Sequence, residues 1–191
     1  MTTPAGPQLS SLGASLPASP EDVQRAVAPG FGDAVAVDGK VPIFVIGDSN
    51  GDRSQDLMVV VRPVGTRLPD INDELANWII QNSRLAYVPP RSKSVIIFPP
   101  TPKPQKVQAG EPLLAVIHGF GAAGWRNPIA RQAYLLRQAA GRSLQVAEPS
   151  EKLRQDFGRF PSPRQVIAEN LGGTRGVLYW TGAAYAWHVA Q

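Results

Sequence analysis

Two chemistries are written into one short stretch, "PIFVIGDSNGDRSQDLMVVVRP", which runs from Pro42 to Pro63. Gly47-Asp48-Ser49-Asn50-Gly51 spells G-x-S-x-G directly after an apolar run, the arrangement by which a strand presents a nucleophilic serine hydroxyl. The same stretch places Asp48, Asn50, Asp52, Ser54 and Asp56 at alternate positions. Oxygens spaced in this way can be turned inward around a hard cation such as calcium, which takes about six to eight of them. With Asp48 as position 1, Asn50 falls at 3, Asp52 at 5, the Ser54 carbonyl at 7 and Asp56 at 9.

The serine reading gains a first support and then loses it. "PIFVIGDS" resembles the first block of GDS-type esterases, in which Ser49 would be the nucleophile, and "IHGFGAAGW" resembles the HGxG oxyanion loop of lipases. A nucleophile elbow, however, leads from a strand into a helix and needs a histidine and an acid placed elsewhere. Here a second strand pattern follows Ser49, the oxyanion-like loop comes after the serine rather than before it, and the two histidines, His118 and His188, lie outside the contexts those esterases show. His118, at the end of an apolar run, reads as a hydrogen-bonded core or loop residue, and two histidines are too few for a transition-metal site.

The cation reading uses more of the residues. It is not an EF-hand, because position 12 is Val59 instead of a bidentate glutamate and both flanks read as strands. "GDSNGDRSQDLMVVV" instead resembles the D-x-N-G-D-G-x-x-D-L motif of FG-GAP and VCBS-type repeats, matching at Gly47, Asp48, Asn50, Gly51, Asp52, Asp56 and Leu57. The resemblance covers about twenty residues. It implies a calcium loop between two strands, an extracellular or periplasmic bacterial setting, and an interaction module rather than a catalyst. "VLYWTGAAYAWH" is similar to hairpins of small exported proteins that carry one such loop. Arg53 departs from the motif: glycine usually stands there because the chain turns with positive φ, and a side chain in that conformation costs on the order of 1 kcal/mol. The alternative is an Asx-rich turn held by its own side-chain hydrogen bonds, with no cation.

The elements that must position this loop follow from the flanking patterns. Residues 1–18 are rich in Pro, Ser, Gly and Ala, a composition expected to form a flexible arm. Ser19-Pro20-Glu21-Asp22 reads as an N-cap, a first-position proline and an acidic first turn, opening a helix that stops near Gly30. Strands are expected over 42–46 and 57–62, in "SVIIF" before Pro99, in "LLAVIHG", in "QVIAE", and as a hairpin of Val177–Trp180 and Tyr185–Val189 around Thr181-Gly182-Ala183-Ala184. The hairpin aromatics Tyr179, Trp180, Tyr185 and Trp187 are expected to pair across strands. Ile71, Leu75, Trp78 and Ile79 predict an amphipathic helix over 70–83, and Ile129, Ala133, Leu136 and Ala140 predict another from Asn127 to Gly141. A short helix is expected over 150–157. The proline-rich stretch 99–112 reads as an extended connector, and the glycine runs "GFGAAGW" and "NLGGTRG" as turns.

Together these give an α+β domain over 19–191, with a largely antiparallel sheet of about seven strands, three or four helices packed on it, and the FG-GAP-like loop at 47–57. Zero cysteines exclude disulfides and thiolate chemistry. The chain has no apolar run long enough to span a membrane, and its first residues lack the basic and apolar regions of a signal peptide. The net charge of +4 concentrates between Arg126 and Arg164, where eight Lys or Arg face three acids. This is read as the solvated face of helices rather than a nucleic-acid surface, because no aromatic platform is interleaved with it.

The expectation is a non-enzymatic, exported structural or interaction module, located in the periplasm or outside the cell if a signal peptide has been removed. Its metal site would be calcium held by Asp48, Asn50, Asp52, Ser54 and Asp56. Its partner would be an unidentified protein, as for an accessory subunit of a membrane-associated assembly contacted through the N-terminal arm. The alternatives are a serine esterase using Ser49 and a basic-surface anion or nucleic-acid binder.

Overall fold

The computed structural model describes residues 17–86, 103–130, 132–157 and 164–190. The first half carries α1 (Pro20–Phe31), β1 (Val35–Val37), β2 (Phe44–Gly47), β3 (Asp56–Pro63), α2 (Leu68–Ile71) and β4 (Trp78–Asn82). The second carries β5 (Leu113–Ile117), β6 (Ala133–Arg137), β7 (Gln145–Ala147), α3 (Glu151–Phe157), β8 (Val166–Leu171), β9 (Thr174–Trp180) and β10 (Tyr185–Val189).

The fold class is α+β, built on mostly antiparallel strands in two sheets. The first sheet runs β1-β3-β5-β6-β4, and β2 also pairs with β3. β1 and β2 occupy one side of β3 in succession: Val35–Val37 pair with Val61–Pro63, and Phe44–Gly47 with Asp56–Val59. The second sheet is the meander β10-β9-β8-β7.

Alternation along the central strands sorts their side chains into two cores. Leu57, Val59 and Val61 of β3 and Leu113, Ala115 and Ile117 of β5 point into a cluster with Val23, Val27 and Phe31 of α1. Met58, Val60, Leu114 and Val116, from the same strands, join Ile167, Leu178 and Tyr185 of the second sheet. A third, smaller cluster sets Leu153 of α3 against Val166, Tyr179 and Ala186. The order of layers is therefore α1, first sheet, second sheet, α3. A central strand buried on both faces reads as an unbroken apolar run, and each fully buried Val, Leu or Ile contributes about 1.5–3 kcal/mol.

α1 begins as its sequence predicts. Ser19 Oγ accepts from the Asp22 N–H at 3.2 Å and Asp22 Oδ2 accepts from the Ser19 N–H at 3.1 Å, a complete capping box. The helix ends one residue beyond Gly30, with Gly32 at φ 59°. The hairpin also forms, and Tyr185 sits opposite Trp180 with ring centroids 5.0 Å apart.

Two expected helices are strands. Residues 70–83 give only the end of α2 and then β4, and Leu75, assigned to the buried face of the expected helix, is 90% exposed. Residues 127–141 give β6 in place of a helix, with Ala133, Tyr134, Leu135 and Leu136 all buried. Both runs are short and apolar, a case in which periodicity does not separate a buried strand from a helix. β4 and β6 pair with each other in parallel, Trp78 opposite Ala133, so long-range pairing set the outcome. Ten strands are described where about seven were expected. The expected strand "SVIIF", the start of the 99–112 connector and most of the 1–18 arm lie outside the described residues.

Leu135→Ala is expected to destabilise the protein by about 2–5 kcal/mol in urea unfolding, since its side chain is fully buried against α1's side of the sheet. Leu75→Ala should stay within about 0.5 kcal/mol of the wild type.

Candidate functional site

The loop between β2 and β3 is set by the pairing of Gly47 with Asp56, which leaves residues 48–55 to make the turn. Its side chains fold back on its own backbone. Asp48 accepts the N–H of Gly51 through Oδ1 at 2.7 Å and that of Arg53 through Oδ2 at 3.1 Å. Asn50 Oδ1 accepts the Asp52 N–H at 3.0 Å, and Asp52 Oδ1 accepts the Ser54 N–H at 2.7 Å. The Asn50 amide donates to Asp52 Oδ2 at 3.0 Å. These are nested Asx turns, each offering the backbone a local acceptor. Gly51 has φ 83° and Arg53 φ 73°, so the arginine holds the strained conformation that glycine usually takes in the resembled motif.

Outside contacts fix the loop at both ends. The Asp48 N–H donates to Gln165 Oε1 at 2.6 Å, and a Cβ on Gly47 would lie 2.6 Å from that oxygen, so a larger residue there would displace the end of the Gln165 side chain. At the far end the Trp125 N–H donates to the Gln55 carbonyl at 2.7 Å.

Of the five residues read as ligands, Asp48, Asn50 and Asp52 are joined at the turn. Ser54 is buried and joins them through its N–H. Asp56 belongs to a different set of contacts. It is 0% exposed; its Oδ1 accepts the Gly119 N–H at 2.8 Å, and its Oδ2 accepts both the N–H (2.9 Å) and the hydroxyl (2.5 Å) of Ser49. Its hydrogen bonds run to Ser49 and Gly119 and not to the side chains of Asp48, Asn50 or Asp52. Among the described residues no three His, Cys, Asp or Glu side chains are grouped as a metal ion requires. The loop's own donors for a cation are thus Asp48, Asn50, Asp52 and the Ser54 carbonyl, a hard-oxygen set smaller than calcium's usual shell.

From Asp56 a chain of polar contacts crosses between the sheets. The Ser49 hydroxyl lies 2.7 Å from the Tyr185 hydroxyl, which lies 2.7 Å from His118 Nε2. His118 Nδ1 is 3.1 Å from Gln132 Oε1, and the Gln132 amide donates to the Tyr134 hydroxyl at 2.7 Å. Rings enclose it: Trp180 meets His118 edge-on at 5.1 Å, and Tyr134 lies 5.0 Å from His118. Ser49, His118 and Tyr185 are 1%, 3% and 0% exposed.

Each contact of this chain has to be supplied with a hydrogen. The Gln132 amide oxygen faces His118 Nδ1, and the imidazole tautomer sets which ring nitrogen donates. The three contacts Asp56–Ser49, Ser49–Tyr185 and Tyr185–His118 Nε2 each need one proton, and the two hydroxyls supply two. A third proton resides at one end, on Asp56 or on His118 Nε2. Burial raises the Asp56 carboxyl above its ordinary value, opposed by the nearby His118, the Ser49 hydroxyl and the N–H groups of Gly119 and Ser49. Burial, and then the Asp56 charge, push the Tyr185 hydroxyl well above its usual range, so it stays protonated.

This arrangement differs from a nucleophile elbow. Tyr185 stands between Ser49 and His118, and the hydroxyl that a hydrolase would expose is hydrogen-bonded and shut from water. The "GFGAAGW" run forms a tight loop of 3-10 turns over Gly121–Arg126, and its first glycine, Gly119, feeds its N–H to Asp56. A Cβ on Gly119 would lie 2.1 Å from the Gln55 carbonyl, so glycine is required for the two loops to touch. His188 lies on β10 opposite Val177.

The basic residues between 126 and 164 find mixed settings, with Lys152 and Arg154 on a helix face as expected and Arg137 on a strand. Arg137 is a strand residue, paired with Glu111 at 2.9 Å, rather than part of a helix face, and Arg154 on α3 reaches Glu148 at 3.8 Å. Arg131 and Arg159 lie outside the described residues.

Tyr185, Gln132 and Gln165 were missed as site residues by sequence reasoning. Only Tyr185 left a signal there, as one of the hairpin aromatics. The chain matches no known protein family, no curated protein and no solved structure.

The raised Asp56 carboxyl couples stability to pH. Folded Asp56 holds its proton more tightly than the unfolded chain does, so the contribution is fully present below the ordinary value of 3.8 and is lost as pH rises through the raised folded value. Urea unfolding across that range should show stability falling as pH rises. Asp56→Asn should flatten this component and cost about 1–3 kcal/mol, since an amide cannot accept from both Gly119 and Ser49 and leaves a buried donor unpaired.

Proposed function

We propose that the protein is a non-catalytic structural or interaction module whose 48–55 loop is a rigid turn presented from the junction of two sheets. The observation that carries this reading is the closure of Ser49: its hydroxyl is spent on Asp56 and Tyr185, and the side chain is 1% exposed. A serine that attacks a substrate must meet it, and a general base must reach the serine directly. Neither condition is supported by these contacts. The loop's self-satisfied turns, in contrast, suit a surface whose shape has to be fixed before a partner arrives, because preorganisation lowers the entropy lost on binding.

The setting belongs to the same proposal. An exported accessory subunit is supported by the resemblance of the loop to bacterial extracytoplasmic repeats. No helix among the described residues is long and apolar enough to cross a membrane. Membership of a membrane-associated assembly through a protein contact is part of the same proposal, with the proline-rich residues 1–18 as the contact.

Calcium at the loop is a second reading, favoured by the three oxygen-bearing side chains at the turn and by positive φ at Gly51 and Arg53. Two assays on one preparation separate the readings. Chelator-stripped wild type and Asp52→Ala are titrated with calcium in a calorimeter, and wild type and Ser49→Ala are assayed against short-chain aryl esters. The module reading predicts no ester turnover in either protein; turnover abolished by Ser49→Ala would overturn it. One-site calcium binding lost in Asp52→Ala would add the metal to the module, and its absence leaves the turn standing on hydrogen bonds alone.

A further inference from the structure

The turn between β8 and β9 does not close against the segment that follows β6. Between them, lined also by Arg84, lies an open cleft of about 680 Å³, inside the range of about 300–1,000 Å³ that small-molecule sites occupy. Four of its lining side chains, Arg84, Gln138, Arg142 and Asn170, are polar and exposed. Gly172 and Gly173, at φ 63° and 85°, make the turn without adding side chains that would fill the opening. Gln138 holds φ 55°, a left-handed conformation that residues with a side chain rarely adopt.

Charge is not balanced within this wall. Among the described residues no carboxylate lines the cleft. Arg142 and the side-chain amides of Gln138 and Asn170 have no polar partner among the described residues. Arg84 gives an N–H to the Leu171 carbonyl at 3.3 Å, and its guanidinium carbon lies 5.9 Å from the centroid of the Trp187 ring. A neutral carbonyl and a ring hold this guanidinium in place and leave its charge uncompensated. Glu169, beside Asn170 in the chain, faces inward: it is 4% exposed and accepts from the Ser143 N–H at 3.1 Å, from the Ser143 hydroxyl, and from the Asn170 N–H at 2.6 Å. Its carboxyl fills the place that a Cβ on Gly141 would need, so this acid braces the wall and pairs with neither arginine.

We propose that this cleft binds an acidic sugar, whose anionic group is taken by Arg84 and Arg142 and whose hydroxyls are taken by the amides of Gln138 and Asn170. A guanidinium fork matches the paired oxygens of a phosphate or carboxylate. A primary amide both donates and accepts, as a sugar hydroxyl does. Apolar lining is limited to Ala140 and Leu171 among the described residues, too little to hold a hydrocarbon ligand. Sugar phosphates and sugar carboxylates share this chemistry. The site is independent of the module reading, because it uses neither Ser49 nor the 48–55 turn.

The test is calorimetric titration of the full chain with glucose 6-phosphate and with glucuronate, beside glucose and inorganic phosphate as controls. The proposal expects one-site binding of at least one of the two acids, no binding of glucose, and at least about tenfold weaker binding in Arg142→Gln. Arg84→Gln is the second variant, should Arg142→Gln not fold, with the same loss expected. Tighter binding of glucose 6-phosphate assigns the anionic group as a phosphate, tighter binding of glucuronate assigns it as a carboxylate, and equal binding supports the shared chemistry. Absence of binding by both acids at millimolar concentration, glucose binding as well as the acids, inorganic phosphate binding as tightly as glucose 6-phosphate, or unchanged affinity in a folded arginine variant would overturn the proposal.

Discussion

The Asp56 carboxylate at the first position of β3 is the constraint around which the neighbouring structure is arranged. A fully buried carboxyl has to be met by donors or by a proton, because an unpaired charge in the interior costs far more than one strand contributes. Both answers are present. The N–H of Gly119 reaches Oδ1 from the end of β5, the N–H and hydroxyl of Ser49 reach Oδ2 from the loop, and the proton count places one additional hydrogen in the chain that ends at His118. The donors come from two distant parts of the sequence, Ser49 and Gly119, so one side chain ties the turn to the glycine-rich segment that follows a central strand.

That tie reaches across layers. Tyr185 sits on β10 in the second sheet, while Asp56 opens β3 of the first and His118 follows β5, and the Tyr185 hydroxyl is held between Ser49 and His118. The aromatic rings of Tyr134, Trp180 and Tyr185 exclude water around it and so strengthen its hydrogen bonds. The same packing closes Ser49 to substrate. What looks in sequence like exposed chemistry is here the means by which a surface turn is joined to the interior.

The sequence showed the local features plainly. Ser19-Pro20-Glu21-Asp22 encoded its helix start, Thr181-Gly182 its hairpin turn, and the run after Leu57 a strand. Positive φ at Arg53 falls where the resembled motif usually has glycine. β4 and β6 were not readable: "WII" and "AYLLR" become strands through a parallel pairing of residues about fifty positions apart, which no short window contains. The anchor was hidden for a related reason. Asp56 read as one more oxygen in a ladder because alternation with Asp48, Asn50 and Asp52 is a local pattern, whereas its true partners include Gly119, and Tyr185 lies beyond Ser49 at a separation of 136 residues. Gln132 and Gln165 carry no motif, and only the folded chain brings their side chains to His118 and Asp48.

The most direct test of the anchor is a double-mutant cycle on the contact that crosses the sheets, Ser49→Ala with Tyr185→Phe, measured by urea unfolding of the two single variants and the double. Both substitutions remove one oxygen and keep the remaining shape, so the cycle isolates the coupling between the hydroxyls. If the buried chain ties turn to sheet, the two costs are non-additive by about 0.5–3 kcal/mol. Additivity to within about 0.3 kcal/mol would mean that the contact carries no coupling, and would contradict the account of the loop as anchored through Asp56 and Ser49 to the second sheet.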